Sequence, residues 1–267
     1  MTLPLRVTTT LMFGSRRALR LIERNLYVYR RTWIVIVSGF FEPLFYLLSI
    51  GFGLGRLVGN VPGPGGAEIP YQLFIAPALL ASSSMNGAIT EATLNFFFKL
   101  KYQKTFESIL STPLSVADIA VGELGWALIR GALYTIGFLG VMVILGIGVS
   151  TWLLLTLPAA LLISFAFGAV GMAATSFMRT WQDFDLIQLV VLPMFLFSGT
   201  FYPLDAYPDA ARIVVQLTPL YQGVDLLRSL AVGVVGPSAI VHAVYLAVMG
   251  IAGLIVVSRR LDKLLLR

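Results

Sequence analysis

Apolar residues in this chain run on for about twenty positions at a time with neither the two-residue alternation of a half-buried strand nor the narrow stripe of a soluble helix. A bilayer core requires roughly 20 mostly apolar residues per helix. Six stretches meet that length or approach it: 32–54, 71–97, 121–148, 153–177, 186–202 and 237–257. The last is uncharged from Pro237 to Val257, with His242 inside it; the fifth is short and contains Pro193. Lipid-facing strands would alternate apolar and polar positions, and these runs do not. The pattern predicts an all-α, polytopic membrane protein with six transmembrane helices.

The pieces between the runs are too short for a soluble domain of ~100 residues. The expectation is a single transmembrane domain over 1–267, with an N-terminal segment (1–31), a polar loop (99–120) and a second mixed segment (203–236). Residues 11–31 read as an amphipathic helix. Leu11, Ala18, Leu19, Ile22, Leu26 and Tyr29 share one face, and Arg16, Arg20, Arg24 and Arg31 form a basic stripe on another. Such a helix lies in the headgroup layer.

In the polar loop, Thr105 is expected to cap a short helix with Phe106, Ile109 and Leu110 on its apolar face. Pro113 disfavours the helical state at Thr112 and ends it. Ser115 and Asp118 have capping-box spacing for the next long helix. The stubby helix is expected to find nothing in its own chain to bury against, which points to a partner protein. In 203–236, Pro208 and Pro219 divide two short helices, 209–217 and 220–233. Too short to span and too apolar for open water, they are expected to form a re-entrant pair between spans five and six. The Gly/Pro-rich loop 55–70 is expected to be irregular.

Charge orients this scheme. Only 12% of the 267 residues are charged and 58% are hydrophobic, with a net charge of +6. Mean hydropathy is +0.88. A soluble enzyme carries about twice that share of charge, and a disordered chain is apolar-poor. Most of the basic residues cluster in 1–31, at Lys99, Lys101, Lys104 and Arg179, and in the tail at Arg259, Arg260, Lys263 and Arg267. The positive-inside rule puts both termini in the cytoplasm. The first 31 residues lack the unbroken apolar core of a signal peptide. There is no cysteine, which removes disulfides, thiolate metal sites and a cysteine nucleophile.

Several chemistries lack their residues. A P-loop needs a glycine before its lysine, and the four lysines follow Phe98, Leu100, Gln103 and Asp262. Any ATP hydrolysis therefore belongs to another polypeptide. His242 is the single histidine, Ser198 sits in FSGTF rather than a Gly-x-Ser pattern, and no His/Asp/Glu cluster suggests a metal. An intramembrane enzyme is disfavoured, and His242 reads as a packing residue. Carboxylates inside a membrane are costly, about 3 kcal/mol each on insertion scales. Glu42 and Glu91 lie in the first and second spans, and Glu123 and Arg130 share a face of the third. A proton or cation relay through Glu42 and Glu91 would make the protein an ion-coupled secondary transporter; structural pairing is the competing reading, favoured for Glu91. A membrane anchor for an ATPase, without cargo, is a third possibility.

The loop adds specific information. Tyr102, Thr105, Glu107, Ile109, Leu110, Thr112, Pro113 and Leu114, followed by Asp118–Ile119 and Gly122–Glu123, resemble the cytoplasmic coupling loop of ABC-2-type transporter permeases. FLFSGTFYPLD (195–205) and PLYQGVDLLR (219–228) are similar to the branch that exports lipo-oligosaccharide nodulation factors, drugs and glycolipids. The resemblance implies a permease subunit of an exporter for amphiphilic cargo in a bacterial inner membrane. It implies two permeases, as homodimer or heterodimer, with two separate ATPase subunits that hold ATP and Mg; no cofactor in this chain; and lipid but no nucleic acid as a further partner. It assigns ATPase coupling to Tyr102, Thr105, Phe106, Glu107, Ile109, Leu110, Ser111, Thr112 and Pro113. It assigns the translocation path to Glu42, Tyr46, Phe195, Phe197, Ser198 and Tyr202.

Overall fold

The computed structural model describes residues 6–30, 41, 43–148 and 150–266, with side chains of the first helix from residue 17 onward. Helices α1 (Arg6–Arg30), α2 (Pro43–Val58), α3 (Tyr71–Tyr102), α4 (Thr105–Leu110) and α5 (Val116–Ile144) make the first half. Helices α6 (Leu153–Thr175), α7 (Phe184–Phe197), α8 (Asp209–Leu217), α9 (Pro219–Val232) and α10 (Ser238–Leu265) make the second. Among the described residues, α3, α5, α6 and α10 are long and apolar enough to cross a membrane. Helix α2 and the 14-residue α7 occupy the places expected for spans one and five, and among the described residues each is shorter than the roughly 20 residues a crossing needs. Part of the first expected span, 32–40 and Glu42, lies outside the described residues.

One expectation is corrected between α2 and α3. The loop over 55–70 is not irregular: α2 continues to Val58, and strands β1 (Asn60–Pro62) and β2 (Glu68–Pro70) pair antiparallel, Val61 opposite Ile69. Ile69 and Val61 are buried, so the hairpin closes over the bundle end with a two-residue alternation too brief to stand out in the sequence.

Small side chains set the packing. A Cβ on Gly253 of α10 would lie 2.8 Å from the backbone of Ala169 and Val170 in α6, so these two helices touch backbone to backbone. Such contacts replace a hydrophobic drive that is weak inside lipid. Helix α3 is the most enclosed, with Phe74, Ile75, Leu79, Leu80 and Met85 buried. Ser82, Ser83, Ser84 and Met85 are buried on a contact face: Ser84 Oγ lies 3.4 Å from Thr135 Oγ1 of α5, and Ser82 and Ser84 also donate to Ala78 O and Leu80 O of their own helix at 2.9 Å. Farther along, α3 widens into π-helical turns at Glu91–Asn95 and Phe98–Tyr102. Thr175 of α6 donates to the Ala92 carbonyl at 3.2 Å, satisfying backbone within the first of these turns.

Helices α8 and α9 match the two short helices expected around Pro208 and Pro219. Pro219 opens α9 behind Thr218, whose hydroxyl accepts from the Tyr221 N–H at 3.4 Å. Leu220, Val224 and Leu227 are buried between the long helices, so α9 is an internal element and not a surface loop. The capping box of Ser115 and Asp118 forms as expected: Asp118 Oδ2 accepts from Ser115 N at 2.8 Å and Ser115 Oγ from Asp118 N at 3.2 Å.

Candidate coupling surface and buried ion-pair cluster

Helix α1 packs on α5 through Ala18, Leu21, Ile22, Asn25 and Tyr29, an i, i+3, i+4 series. A Cβ on Gly122 would lie 2.8 Å from Leu21 and one on Gly125 the same distance from Ile22. Of the expected apolar face, Ala18, Ile22 and Tyr29 turn toward α5 together with Leu21 and Asn25, while Leu19 and Leu26 stay more than half exposed. The side of α1 that meets the protein is the one opposite two small residues of α5, Gly122 and Gly125. Of the expected basic stripe, Arg20 is exposed and pairs with Glu23 at 2.9 Å. Arg24 is half-buried and donates to Asn25 Oδ1 at 3.4 Å. The Arg16 side chain and Arg31 lie outside the described residues.

The short helix α4 also differs from expectation. Its apolar face is not waiting for a partner. Phe106 is fully buried, its ring 5.1 Å from that of Phe96, and Ile109 is buried beside it. The two join Leu21, Leu100, Val116, Ile119, Met172 and Leu261 in a second hydrophobic core at this end of the bundle. Thr105 is not the cap either. Lys104 precedes the helix in a left-handed conformation (φ 50°), and the buried Thr105 donates to Gln103 Oε1 at 3.4 Å. Leu110 is partly buried against the same core. Tyr102, Glu107, Ser111, Thr112 and Pro113 are exposed. The helix ends at Leu110, before Pro113, as expected.

Between α1 and α4 lies a cleft of about 430 Å³ lined by Arg20, Arg24, Gln103, Ser108 and Thr112. Arg17 Nη1 donates to the Pro113 carbonyl at 2.9 Å and ties the two sides together. The surface is therefore a polar crest on a rigid base: what is apolar in α4 anchors it, and what is polar faces out.

Beneath this surface is a feature that sequence reasoning assigned only in fragments. Glu91, Lys99, Glu123 and Arg130 are all buried, at 2%, 8%, 4% and 5% exposure. Arg130 pairs with Glu91, and Lys99 Nζ lies 2.5 Å from Glu123 Oε2 and 3.8 Å from Glu91 Oε1. Asn25 of α1 donates to Glu123 Oε1 and accepts from Lys99, both at 3.3 Å. Tyr29 donates to Glu91 Oε2 at 3.2 Å, Asn95 to the same oxygen at 2.6 Å, and Arg130 to Tyr134 at 3.0 Å. Burial, and then the Glu91 charge, push the Tyr29 phenol above its ordinary value, so it stays a donor to that carboxylate. Two carboxylates and two cations balance, which is what keeps buried charge tolerable.

Glu123 and Arg130, expected to share a face, do so, but each pairs with a residue of α3 and not with the other. Lys99, counted from sequence as an orienting loop charge, is interior. The signal was present as spacing: Glu91 and Lys99 fall two turns apart on α3, Glu123 and Arg130 two turns apart on α5, and Asn25 and Tyr29 one turn apart on α1.

The residues expected to line a path are only partly together. Tyr46 and Phe195 approach with ring centroids 5.9 Å apart, and Phe195 meets Phe201 edge to face at 5.2 Å. Phe197 and Tyr202 are exposed. Ser198 is fully buried and hydrogen-bonds Thr218 at 2.8 Å, so it fastens α7 to α9 and does not face open space. Glu42 lies outside the described residues. Nearby, the buried Arg228 donates to Phe74 O at 3.1 Å and Gly199 O at 2.7 Å, with its guanidinium 3.7 Å from the Phe74 ring. His242 packs between α9 and α10, Nδ1 against Gln222 and Nε2 3.0 Å from Asp225 Oδ2.

Residues 17–232 match the family described as ABC-2 type transporter. The chain belongs to that family. It is 33% identical over 229 residues to "Nodulation protein J" of Rhizobium leguminosarum bv. trifolii, covering 84% of this chain and 85% of that one. It is 31% identical over 222 residues to the protein of the same name from Rhizobium meliloti (strain 1021), covering 82% and 81%. It is 24% identical over 205 residues to "Inner membrane transport permease YadH" of Escherichia coli (strain K12), covering 74% and 75%. As an ABC-2 permease, the chain is a membrane subunit of an ABC transporter, a class that works with an ABC ATPase. The matched region takes in the loop from Tyr102 to Glu123 and the segments 195–205 and 219–228, on which the resemblance rests.

Proposed function

We propose that this permease is the membrane subunit of an ATP-driven exporter in a bacterial inner membrane, with an amphiphilic cargo: a lipid-linked saccharide, glycolipid, lipid or hydrophobic drug. Both termini are cytoplasmic, α2 and α7 complete six crossings with neighbouring residues, and α8 and α9 form a re-entrant pair at the outer side. Two permease protomers, alike or different, carry two ATPase subunits, which hold ATP and Mg. The observation that carries this reading is the polar crest of α4, Glu107, Ser108 and Ser111, set on a buried Phe106 and braced to α1 by Arg17. A load applied to this crest is delivered into α3 and α5 because the base beneath it is packed and ion-paired.

The relay alternative finds no support at Glu91, whose carboxylate is engaged by Arg130, Lys99, Asn95 and Tyr29. The test is co-expression with the ATPase encoded beside it, purification of the complex in nanodiscs and assay of ATPase activity and cargo export. Glu107→Lys and Ser108→Trp should leave insertion intact while weakening ATPase capture or its stimulation by cargo. Unchanged capture and export in both variants would sink the assignment of this crest, and proton-driven cargo movement without an ATPase would sink the exporter reading.

A further inference from the structure

On the flank of the bundle, between α6, α7 and α10, lies a groove of about 560 Å³. Its walls are apolar, with Phe167, Val170, Val190, Met194 and Met249 among them. Val190 and the outer edge at Ala174 and Leu186 are exposed, so it opens sideways. From Asp183 to Met194 it follows the chain for about 16 Å at 1.5 Å per residue. That is close to half of the ~30 Å hydrocarbon core, the depth of one leaflet.

Its polar end is not neutral ground. Asp183 lies in the lining, but the backbone N–H groups of Arg179 and Thr180 donate to its carboxylate at 2.7 and 3.2 Å. Those two bonds answer its charge. The Arg260 guanidinium stacks 4.6 Å from the ring of Phe177, a groove residue, and its Nε is buried with no hydrogen-bond partner among the described residues. Arg179 is exposed and its charge also favours the Asp183 carboxylate, but neither guanidinium lies within ion-pair distance of an acid among the described residues. Trp181, more than half exposed, stands at the same end, where indoles favour the headgroup layer.

We infer that this groove seats one acyl chain of an anionic membrane phospholipid, with its phosphate between Arg179 and Arg260. The inference rests on the membrane placement of the bundle and is independent of the ATPase and of the cargo. An apolar slot one leaflet deep takes the chain, and two guanidinia with no acid in ion-pair contact take the headgroup. An apolar helix of a second protomer would fill the slot but leave the Arg260 guanidinium unanswered.

The full chain is placed in nanodiscs containing phosphatidylglycerol or phosphatidylcholine with a photoactivatable diazirine in the acyl tail, and labelled peptides are mapped. Phosphatidylglycerol should label residues 167–194 at least fivefold more than phosphatidylcholine, taking about 1 kcal/mol for each basic residue near an anionic surface. Val190→Trp should abolish labelling of this segment. The double variant Arg179→Gln/Arg260→Gln, which alters exposed or unpaired groups and not the core, should bring the two lipids to equality. Equal labelling of the wild type by both lipids, or labelling indifferent to both changes, overturns the proposal. So does efficient oxidative cross-linking of Val190→Cys between two chains, which would assign the groove to a protomer interface. ATPase coupling measured on the same preparations separates failure of this site from failure of the exporter reading.

Discussion

Lys99 and Glu123 meet at 2.5 Å in a part of the bundle where each is less than a tenth exposed, and the contact joins α3 to α5 directly beneath α1. Asn25 touches both partners, so the pair is also the point where the N-terminal helix is fastened. A buried pair is stabilising only relative to a state in which one member is left alone. Lys99→Met and Glu123→Leu should each therefore destabilise the protein by about 3–5 kcal/mol, and the double variant should recover most of the loss. A double-mutant cycle on thermal or chemical denaturation in nanodiscs checks this; additive losses would contradict the pairing.

Phe106 and Glu107 are adjacent in sequence and opposite in consequence. Phe106→Ala removes a fully buried ring and should cost about 3–5 kcal/mol of stability. Glu107→Ala removes an exposed carboxylate whose ion pair with Lys104 is 3.8 Å long, and should change stability by less than about 0.5 kcal/mol. Denaturation midpoints of the two variants, read beside the coupling assay, separate folding from docking.

Gly253 and Gly140 make a second contrast. With Ala169 and Val170 backbone 2.8 Å from its would-be Cβ, Gly253→Val has to push α10 off α6, and the protein should lose its folded population in expression and size-exclusion profiles. A Cβ on Gly140 meets nothing within 4 Å, so Gly140→Ala should be neutral or stabilise α5 by up to about 1 kcal/mol. A destabilised Gly140→Ala variant would show that α5 needs a freedom the packing does not indicate.

Asp183 carries a pH dependence. Hydrogen bonds from the Arg179 and then the Thr180 backbone N–H hold its carboxyl below the ordinary carboxylate value. Its contribution is therefore complete above the unfolded-state value of about 3.9 and disappears as pH falls through the lower folded-state value. The stability advantage of wild type over Asp183→Ala should be constant from pH 7 to 5 and shrink toward pH 2. Melting curves across that range test it, and an advantage that grows on acidification would refute the capping role.

Much of the architecture was legible in the chain. Long apolar runs marked α3, α5, α6 and α10, and prolines bounded α8 and α9, because proline geometry and apolar length act locally. Ser115 and Asp118 announced the start of α5 by spacing alone. The site was legible in composition but not in orientation. Phe106 and Ile109 were recognised as an apolar face, yet whether that face met a partner or its own chain depended on where Phe96 and Leu21 were brought. Lys99 looked like one loop charge among several until α3 continued past it as a buried helix.

The sequence by itself determined that the chain is helical, suited to a membrane and without a nucleotide-binding loop, since these follow from counts, runs and the residue before each lysine. It also determined where several helices stop, since capping and proline effects reach only a few residues. Tertiary structure alone decided which charges neutralise one another. Glu91 with Arg130 and Glu123 with Lys99 are pairings between α3 and α5, made only once the two helices lie side by side. Electrostatic partnership is a matter of distance in space, and no pattern along one chain specifies it.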